Sequence, residues 1–314
     1  MSYRIDPRLP LTGEVRRILA EEVGKALVHL HAARDRPEQA LHQCRKRLKN
    51  ARALLRLVRS GDETFCRTEN QCYRQMAALL AGPREATALV ETIDRLAASF
   101  PEQSAGGGLD AVRDRLVARR QELHDGAGLD AAIAAAIDAC EEGIGRIEQL
   151  ALPDQPEQAA DVLAEGARIT LRRARKALDK AGSRGEADDF HDLRKAAKTH
   201  GVHLSLLGRL WPTPIKARRK AVDDLGERLG ELHDVFVMRA LLDADDQPLG
   251  TAEETRLLGK LLKRSEKSLK KACLAEAADL FGDSPKRSTR KLARKVRDDL
   301  VGPAVQEDGS ATAG

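Results

Sequence analysis

Aromatic side chains are scarce in this sequence, at 3% of 314 residues, and β-branched residues nowhere alternate with polar ones over the length of a strand. Strands are enriched in both residue types, whereas the alanine, leucine, arginine, glutamate and lysine that dominate here favour helix. The sequence therefore predicts an all-α fold and gives no support to a sheet.

Cysteine pairs and long apolar runs are also missing. The five cysteines are scattered and include no CxxC pair: Cys44, Cys66, Cys72, Cys140 and Cys273. This spacing excludes a disulfide framework and a structural zinc site. No apolar run reaches the roughly 18 residues of a membrane span, and the N-terminal sequence lacks the apolar core of a secretory signal. We expect a cytoplasmic protein with no metal, no cofactor and no membrane contact.

Charge of one sign is not in large excess, because 54 basic residues are opposed by 49 acidic ones and the net charge is +5. A chain so nearly balanced attracts a polyanion only where its cations are segregated into patches. The positions of the basic residues along each helix are therefore more informative than their number.

Proline and glycine divide the chain into long helical segments, the first two at about residues 12–34 and 38–59. The second half resembles the first. ILAEEVGKAL (18–27) aligns with VLAEGARITL (162–171), and LHQCRKRLK (41–49) aligns with FHDLRKAAK (190–198). We predict a short N-terminal extension at residues 1–10. One domain follows at 11–301, built from two pseudo-symmetric helical bundles, at about 11–150 and 156–301. A disordered tail, residues 302–314, completes the chain.

Both halves carry the pattern H-x-x-R-K-x-x-K on their second helix. The residues are His42, Arg45, Lys46 and Lys49 in the first copy and His191, Arg194, Lys195 and Lys198 in the second. At 100° per residue, each set falls within an arc of roughly 100° on its helix. In the first copy Arg52 and Arg56 extend the row, and apolar residues occupy the opposite face. Two copies at matching places are stronger support for a binding surface than either copy alone.

Such a row of cations suits a linear polyanion. Like charges three or four residues apart repel one another by a few tenths of a kcal/mol per pair, and a bound anion would relieve that repulsion. Arginine offers paired donors to phosphate oxygens, lysine a mobile charge, and histidine a donor that gains charge as the pH falls. We expect His42 and His191 to be neutral in the free protein, because the neighbouring cations disfavour protonation.

These two motifs, with the segments Leu80–Glu85 and Leu229–Asp234 that follow them, resemble the conserved histidine α-helical domain, or CHAD, family. The resemblance implies a helical protein of two related bundles that binds inorganic polyphosphate along a basic surface or channel between them. It also implies that the eight motif residues contact phosphate. In the second copy Gly201 and Ser205 stand where the first has Arg52 and Arg56, so the second row is shorter. No E-x-E-x-K signature of a triphosphate-processing domain accompanies the motifs, which points to a stand-alone, non-catalytic module.

Further cations form a second tier of candidate contacts. Arg168, Arg172 and Arg175 share a face of the helix before the second motif, and Lys286 and Arg290 lie on the closing helix. Two other functions stay open. Backbone-mediated nucleic-acid binding would use the same cations, although no aromatic platforms are interleaved with them. A polyphosphate-processing enzyme would need clustered carboxylates to hold metal ions, and the motifs contain none. We therefore predict a polyphosphate-binding protein that is not an enzyme, with polyphosphate granules as its candidate location.

Overall fold

The computed structural model describes residues 3–34, 36–80, 82–104, 107–124, 128–210, 215–244 and 249–300, and these form α-helices without a strand. The helices are α1 Leu11–His31, α2 Pro37–Leu57, α3 Glu63–Leu79, α4 Gly82–Ser99, α5 Pro101–Ser104, α6 Asp110–His124, α7 Gly128–Arg146, α8 Pro156–Ser183, α9 Ala187–Leu207, α10 Ile215–Asp243, α11 Ala252–Phe281 and α12 Pro285–Leu300. The all-α prediction is confirmed. None of the helices in these ranges is both long enough and apolar enough to cross a bilayer.

Local signals account for several helix ends. α2 and α8 each begin with a proline, Pro37 and Pro156, whose fixed φ suits the first helical turn. The Asp62 side chain caps α3 by accepting from the Phe65 N–H. Thr251 and Glu254 form a reciprocal capping box at the start of α11. The two caps satisfy N–H groups of the first helical turn, which have no carbonyl partner within the helix.

The helices pack in a similar order in both halves of the chain. α1 packs against α2 as α8 packs against α9, and α3 lies on α2 as α10 lies on α9. The last helix of each half, α7 or α12, returns to the first, α1 or α8. α10 is one continuous helix where the first half has α3 and α4, because Pro83 opens α4 and the equivalent position in α10 is Leu232. The duplication itself stays a prediction.

The hydrophobic cores do not follow the boundary between the halves. The larger core joins α1, α2, α3 and α7 to α8, α9 and parts of α10, α11 and α12. A second core joins α4 and α6 of the first half to α10 and α11 of the second. It contains Leu89, Val90, Ile93, Leu96, Leu109, Val112, Leu116, Val235, Met238, Leu249, Leu258, Leu261 and Leu262. The two halves therefore share both cores.

The predicted N-terminal extension is attached to this body through its described residues. Ile5 is buried, and its N–H donates to the Leu206 carbonyl at 2.9 Å. The Tyr3 hydroxyl donates to the Asn50 carbonyl at 3.0 Å. Tyr3 and Ile5 thus attach the N-terminal segment to α2 and to the end of α9. The tail at 302–314, predicted to be disordered, lies outside the described residues.

Candidate polyanion-binding site

The two motif helices, α2 and α9, lie against each other. His203 of α9 is fully buried, and its Nε2 lies 2.9 Å from the Ala53 carbonyl of α2. Arg56 of α2 donates to the Thr199 hydroxyl of α9 at 3.3 Å. His203 and the equally buried His200 occupy the apolar side of α9, so they are packing residues. The two basic rows thereby approach each other.

Lys49 is the point at which the two rows meet. Its side chain is exposed to solvent, yet enough protein surrounds the ammonium to lower its pKa to about 8. Desolvation is the largest cause, and repulsion by Arg45, Arg194, Lys198 and Arg52 adds to it. The cations that lower this pKa belong to both α2 and α9, so Lys49 lies on the surface where the two helices meet. We call this surface the basic cleft and define it by six residues, Arg45, Lys49, Arg52, Arg56, Arg194 and Lys198.

The cations of α2 fall into two groups, one that forms an ion pair within the protein and one that does not. Arg47 points toward α1, where it pairs with the buried Glu22 at 3.2 Å. In the described ranges, by contrast, no carboxylate forms an ion pair with Lys49, Arg52 or Arg56. Burial and neighbouring cations lower the pKa of Arg52 to about 10, and the pKa of Arg56 is lowered for the same reasons. The positive charge of these three residues is therefore not neutralised by an ion pair, whereas Glu227, Asp223 and Asp234 partly offset the charge of Lys198 on α9.

Because that charge is unfavourable in the free protein, removing part of it should stabilise the fold. We expect Lys49→Met to raise the free energy of unfolding in urea by about 0.5–1 kcal/mol while weakening anion binding. Lys195→Met is a matched control, because Lys195 is exposed and pairs with Asp192 at 3.2 Å. Equal stability changes in the two variants would show that Lys49 carries no electrostatic strain.

His191 lies at the edge of the basic cleft rather than in solvent. Its ring stacks on that of His233 of α10, with centroids 4.8 Å apart, and its Nδ1 is buried without a hydrogen-bond partner. The pKa of His191 is lowered to about 4, so its imidazole is neutral at neutral pH. Burial is the largest cause, and Lys195, His233 and Arg194 contribute repulsion. His42, its counterpart in the first motif, is exposed.

α10 provides room for the cations of α9. Gly226 and Gly230 lie one turn apart on α10. A Cβ at Gly230 would lie 3.3 Å from Arg194 Nη2, and one at Gly226 would lie 3.6 Å from Lys198 Cγ. Both long side chains therefore run along a face of α10 that has no side chains of its own at these positions.

The structure places the second-tier candidates away from the α2-facing side of α8. Gly166 abuts the Leu57 carbonyl of α2, and Arg173 lies seven residues later on the same face. Arg168, Arg172 and Arg175 project about 100° or more from that face, and Arg168 pairs with Glu165. Lys286 and Arg290 are exposed on α12, which packs against α8. The three arginines of α8 therefore face away from the cleft, and the role of Lys286 and Arg290 stays a prediction.

Two arginines outside the motifs do approach the cleft, and sequence reasoning missed both. Arg74 of α3 contributes to the lowered pKa values of Arg52 and Arg56, and Arg173 of α8 contributes to that of Arg56. Asn70, one turn before Arg74, accepts from Arg52 Nε at 3.4 Å. Each residue is one cation in a mixed helix, so its position depends on how α3 and α8 cross α2.

A separate cavity of about 460 Å³ lies between α10 and α11. Carboxylates dominate its lining, with Asp224, Glu227, Glu231, Glu276 and Asp279 against Lys220 and Arg228. A cavity of this charge repels an anion, so it is not part of the basic cleft.

The family model of the CHAD domain matches residues 17–243, which include both motif helices. The chain belongs to the CHAD domain family. The sequence-based resemblance is therefore confirmed, and the basic cleft lies within the matched part of the CHAD domain.

Two curated relatives of this CHAD protein are both from Mycobacterium tuberculosis. They are "Uncharacterized protein MT2285" of strain CDC 1551 / Oshkosh and "Uncharacterized protein Rv2226" of strain ATCC 25618 / H37Rv. Each is 26% identical over 308 residues, covering 92% of this chain and 55% of the relative. The chain thus spans about half the length of these relatives.

A solved structure shares the fold of this CHAD domain. "PptA from Streptomyces chartreusis" superposes with a TM-score of 0.63 and 19% sequence identity. The match covers 88% of this chain and 100% of that one.

Proposed function

We propose that this CHAD domain binds inorganic polyphosphate in the basic cleft and does not catalyse a reaction on it. The observation that carries the proposal is the convergence of both rows on Lys49, whose ammonium is repelled by cations of α2 and α9 together. Membership of the CHAD family supports the choice of ligand. A single row would suit any anion, whereas two converging rows suit a flexible chain that carries a charge at every unit.

The geometry favours a linear polyanion over a compact one. Successive cations of α2 lie three or four residues apart, which is about one helical turn or 5.4 Å. A polyphosphate chain can place a phosphate near each of them in turn, and it can pass from Arg45 to Arg194 and Lys198 across the helix contact. The donors are arginines and lysines, which stabilise charge without performing chemistry on the chain. In a cell such binding would place the protein in the cytoplasm, on polyphosphate or its granules.

The test is a titration of the purified protein with long polyphosphate, triphosphate and duplex DNA, the last at equal total charge. Long polyphosphate should bind best, and its affinity should fall steeply with salt. A slope of roughly −0.7 per neutralised phosphate is expected by analogy with single-stranded nucleic acid. Tighter binding of DNA would favour the nucleic-acid alternative. Equal affinity for triphosphate and long chains would point to a compact pocket and contradict the proposal.

The affinity for polyphosphate should also fall at alkaline pH, because Lys49 loses its proton there. The pKa of this residue is about 8 in the free protein, below the ordinary lysine value of 10.5, and bound phosphates would raise it again. Binding therefore takes up a proton at pH 8 and above, so affinity should fall as the pH rises from about 8 toward 10. Lys49→Arg keeps the charge at all these values and should remove most of the fall. Lys195→Arg is the control and should leave the profile unchanged. An unchanged profile in Lys49→Arg would mean that another group titrates.

A further inference from the structure

The cations of the basic cleft are not evenly distributed. Four arginines gather at the C-terminal end of α2, with Arg52 and Arg56 half-buried and Arg74 and Arg173 exposed at the rim. They come from three helices, α2, α3 and α8. In the described part of the chain none of the four forms an ion pair with a carboxylate. Elsewhere the cleft mixes lysine with arginine, whereas this end carries guanidinium groups alone.

Packing rather than chance brings the rim arginines to this place. Asn70 contacts Arg52 from α3, and Arg74 is one turn further along the same face of that helix. Gly166 brings the backbone of α8 against the Leu57 carbonyl, and Arg173 follows two turns later on that face. Arg74 and Arg173 therefore flank Arg56 from two sides. The Thr199 hydroxyl of α9 accepts from Arg56 Nη1 at 3.3 Å and donates to the Lys195 carbonyl at 2.7 Å, so it holds Arg56 in place.

Arg56 is the last cation of the α2 row before an arginine that a carboxylate neutralises. Arg59, one turn beyond Arg56, forms an ion pair with Glu63 of α3. A polyphosphate chain that continued past Arg56 would meet a neutralised arginine and an exposed carboxylate, which repels it. The cluster is therefore a place where a chain stops rather than one it passes through.

The end of a polyphosphate chain differs from its interior in charge. Each internal phosphate carries one negative charge, whereas a terminal phosphate ionises a second time near neutrality, as phosphomonoesters do at a pKa of about 6. A dense group of guanidinium forks suits a doubly charged phosphate with three terminal oxygens. We propose that Arg52, Arg56, Arg74 and Arg173 form a subsite for the dianionic terminal phosphate of a polyphosphate chain, in which Thr199 positions Arg56. This inference rests on the proposed function.

The experiment compares two chains of one defined length, one with free ends and one with both terminal phosphates converted to amides. Amidation leaves the internal charges in place and removes the second charge at each end. The parent protein should bind the free-ended chain roughly tenfold more tightly, which is about 1.4 kcal/mol. In the double variant Arg74→Ala with Arg173→Ala this ratio should fall to about one, because the rim that recognises the end is gone.

The matched control is Arg172→Ala with Arg175→Ala, which removes two exposed arginines from other faces of α8 and should keep the tenfold ratio. Equal binding of both chains by the parent, or an undiminished ratio in Arg74→Ala with Arg173→Ala, would overturn the subsite. Pyrophosphate should displace the free-ended chain only at a large molar excess, since it cannot reach Arg194 and Lys198. Displacement at equal concentration would show a pocket for small anions instead of a chain end. Failure of the parent to bind either chain would overturn the proposed function, and the subsite with it.

Discussion

Removing three charges from either motif helix should weaken polyphosphate binding by roughly a hundredfold, or about 3 kcal/mol. One variant combines Arg45→Ala, Lys46→Ala and Lys49→Ala, and the other combines Arg194→Ala, Lys195→Ala and Lys198→Ala. Because α2 and α9 line one cleft, the two variants should damage the same binding event to a similar degree. The measurement is the dissociation constant at fixed salt, with circular dichroism as a check on the fold.

Alanine is the better helix former, and these substitutions relieve repulsion, so both variants should remain folded. The control removes the same charge elsewhere, through Arg168→Ala, Arg172→Ala and Arg175→Ala on the outer part of α8. It should lower the affinity only slightly, through the long-range field. If the α9 variant bound polyphosphate as the parent does, the second half would not belong to the site.

Substituting Gly166 should destabilise the protein more than any single change in the cleft. A Cβ at this position would clash with the Leu57 carbonyl oxygen. That oxygen is a backbone atom, so no side-chain rotation can relieve the clash. Gly166→Val should therefore separate α8 from α2 and lower the free energy of unfolding by about 3 kcal/mol or more, measured in urea. Polyphosphate binding should fall as well, since α8 carries Arg173.

Gly24→Ala is the matched control for that experiment. Gly24 lies in the middle of α1, and a Cβ there would meet nothing within 4 Å. The substitution should stabilise the protein by about 0.5–1 kcal/mol, because alanine loses less backbone entropy in a helix than glycine does. A destabilisation of similar size in both variants would show that the close approach at Gly166 is not the cause.

Much of the local structure followed from the sequence, because helix ends are set by nearby residues. The segments predicted at 12–34 and 38–59 correspond to Leu11–His31, with a short 3₁₀ turn after it, and to Pro37–Leu57. The face of α2 that carries Arg45, Lys49 and Arg52 was equally predictable, since periodicity alone fixes which residues share a side. The repeat predicted that a second such face would exist on α9.

Periodicity could not show which helix faces which, and the unpredicted features all depend on that. Arg173 reaches the cleft because Gly166 lets α8 approach α2. Arg168, which the regular spacing of Arg168, Arg172 and Arg175 had favoured, lies on another face of α8 and pairs with Glu165. The stacking of His191 on His233 requires the particular packing of α9 on α10. The spacing of residues in the sequence shows which charges share a face of one helix. Whether two such rows come together depends on the angles at which the helices cross.

The shared second core has a consequence for how the chain is made. During synthesis α4 and α6 emerge early, but their apolar faces are covered by α10 and α11, which appear only after most of the second half has left the ribosome. Until then α4 and α6 can pack on each other, but the apolar surface that meets α10 and α11 has no partner. Such long-range pairing slows folding and favours aggregation of partly made chains. The first half therefore depends on the completion of the second, and a truncated product ending near residue 200 should be a substrate for chaperones rather than a smaller functional domain.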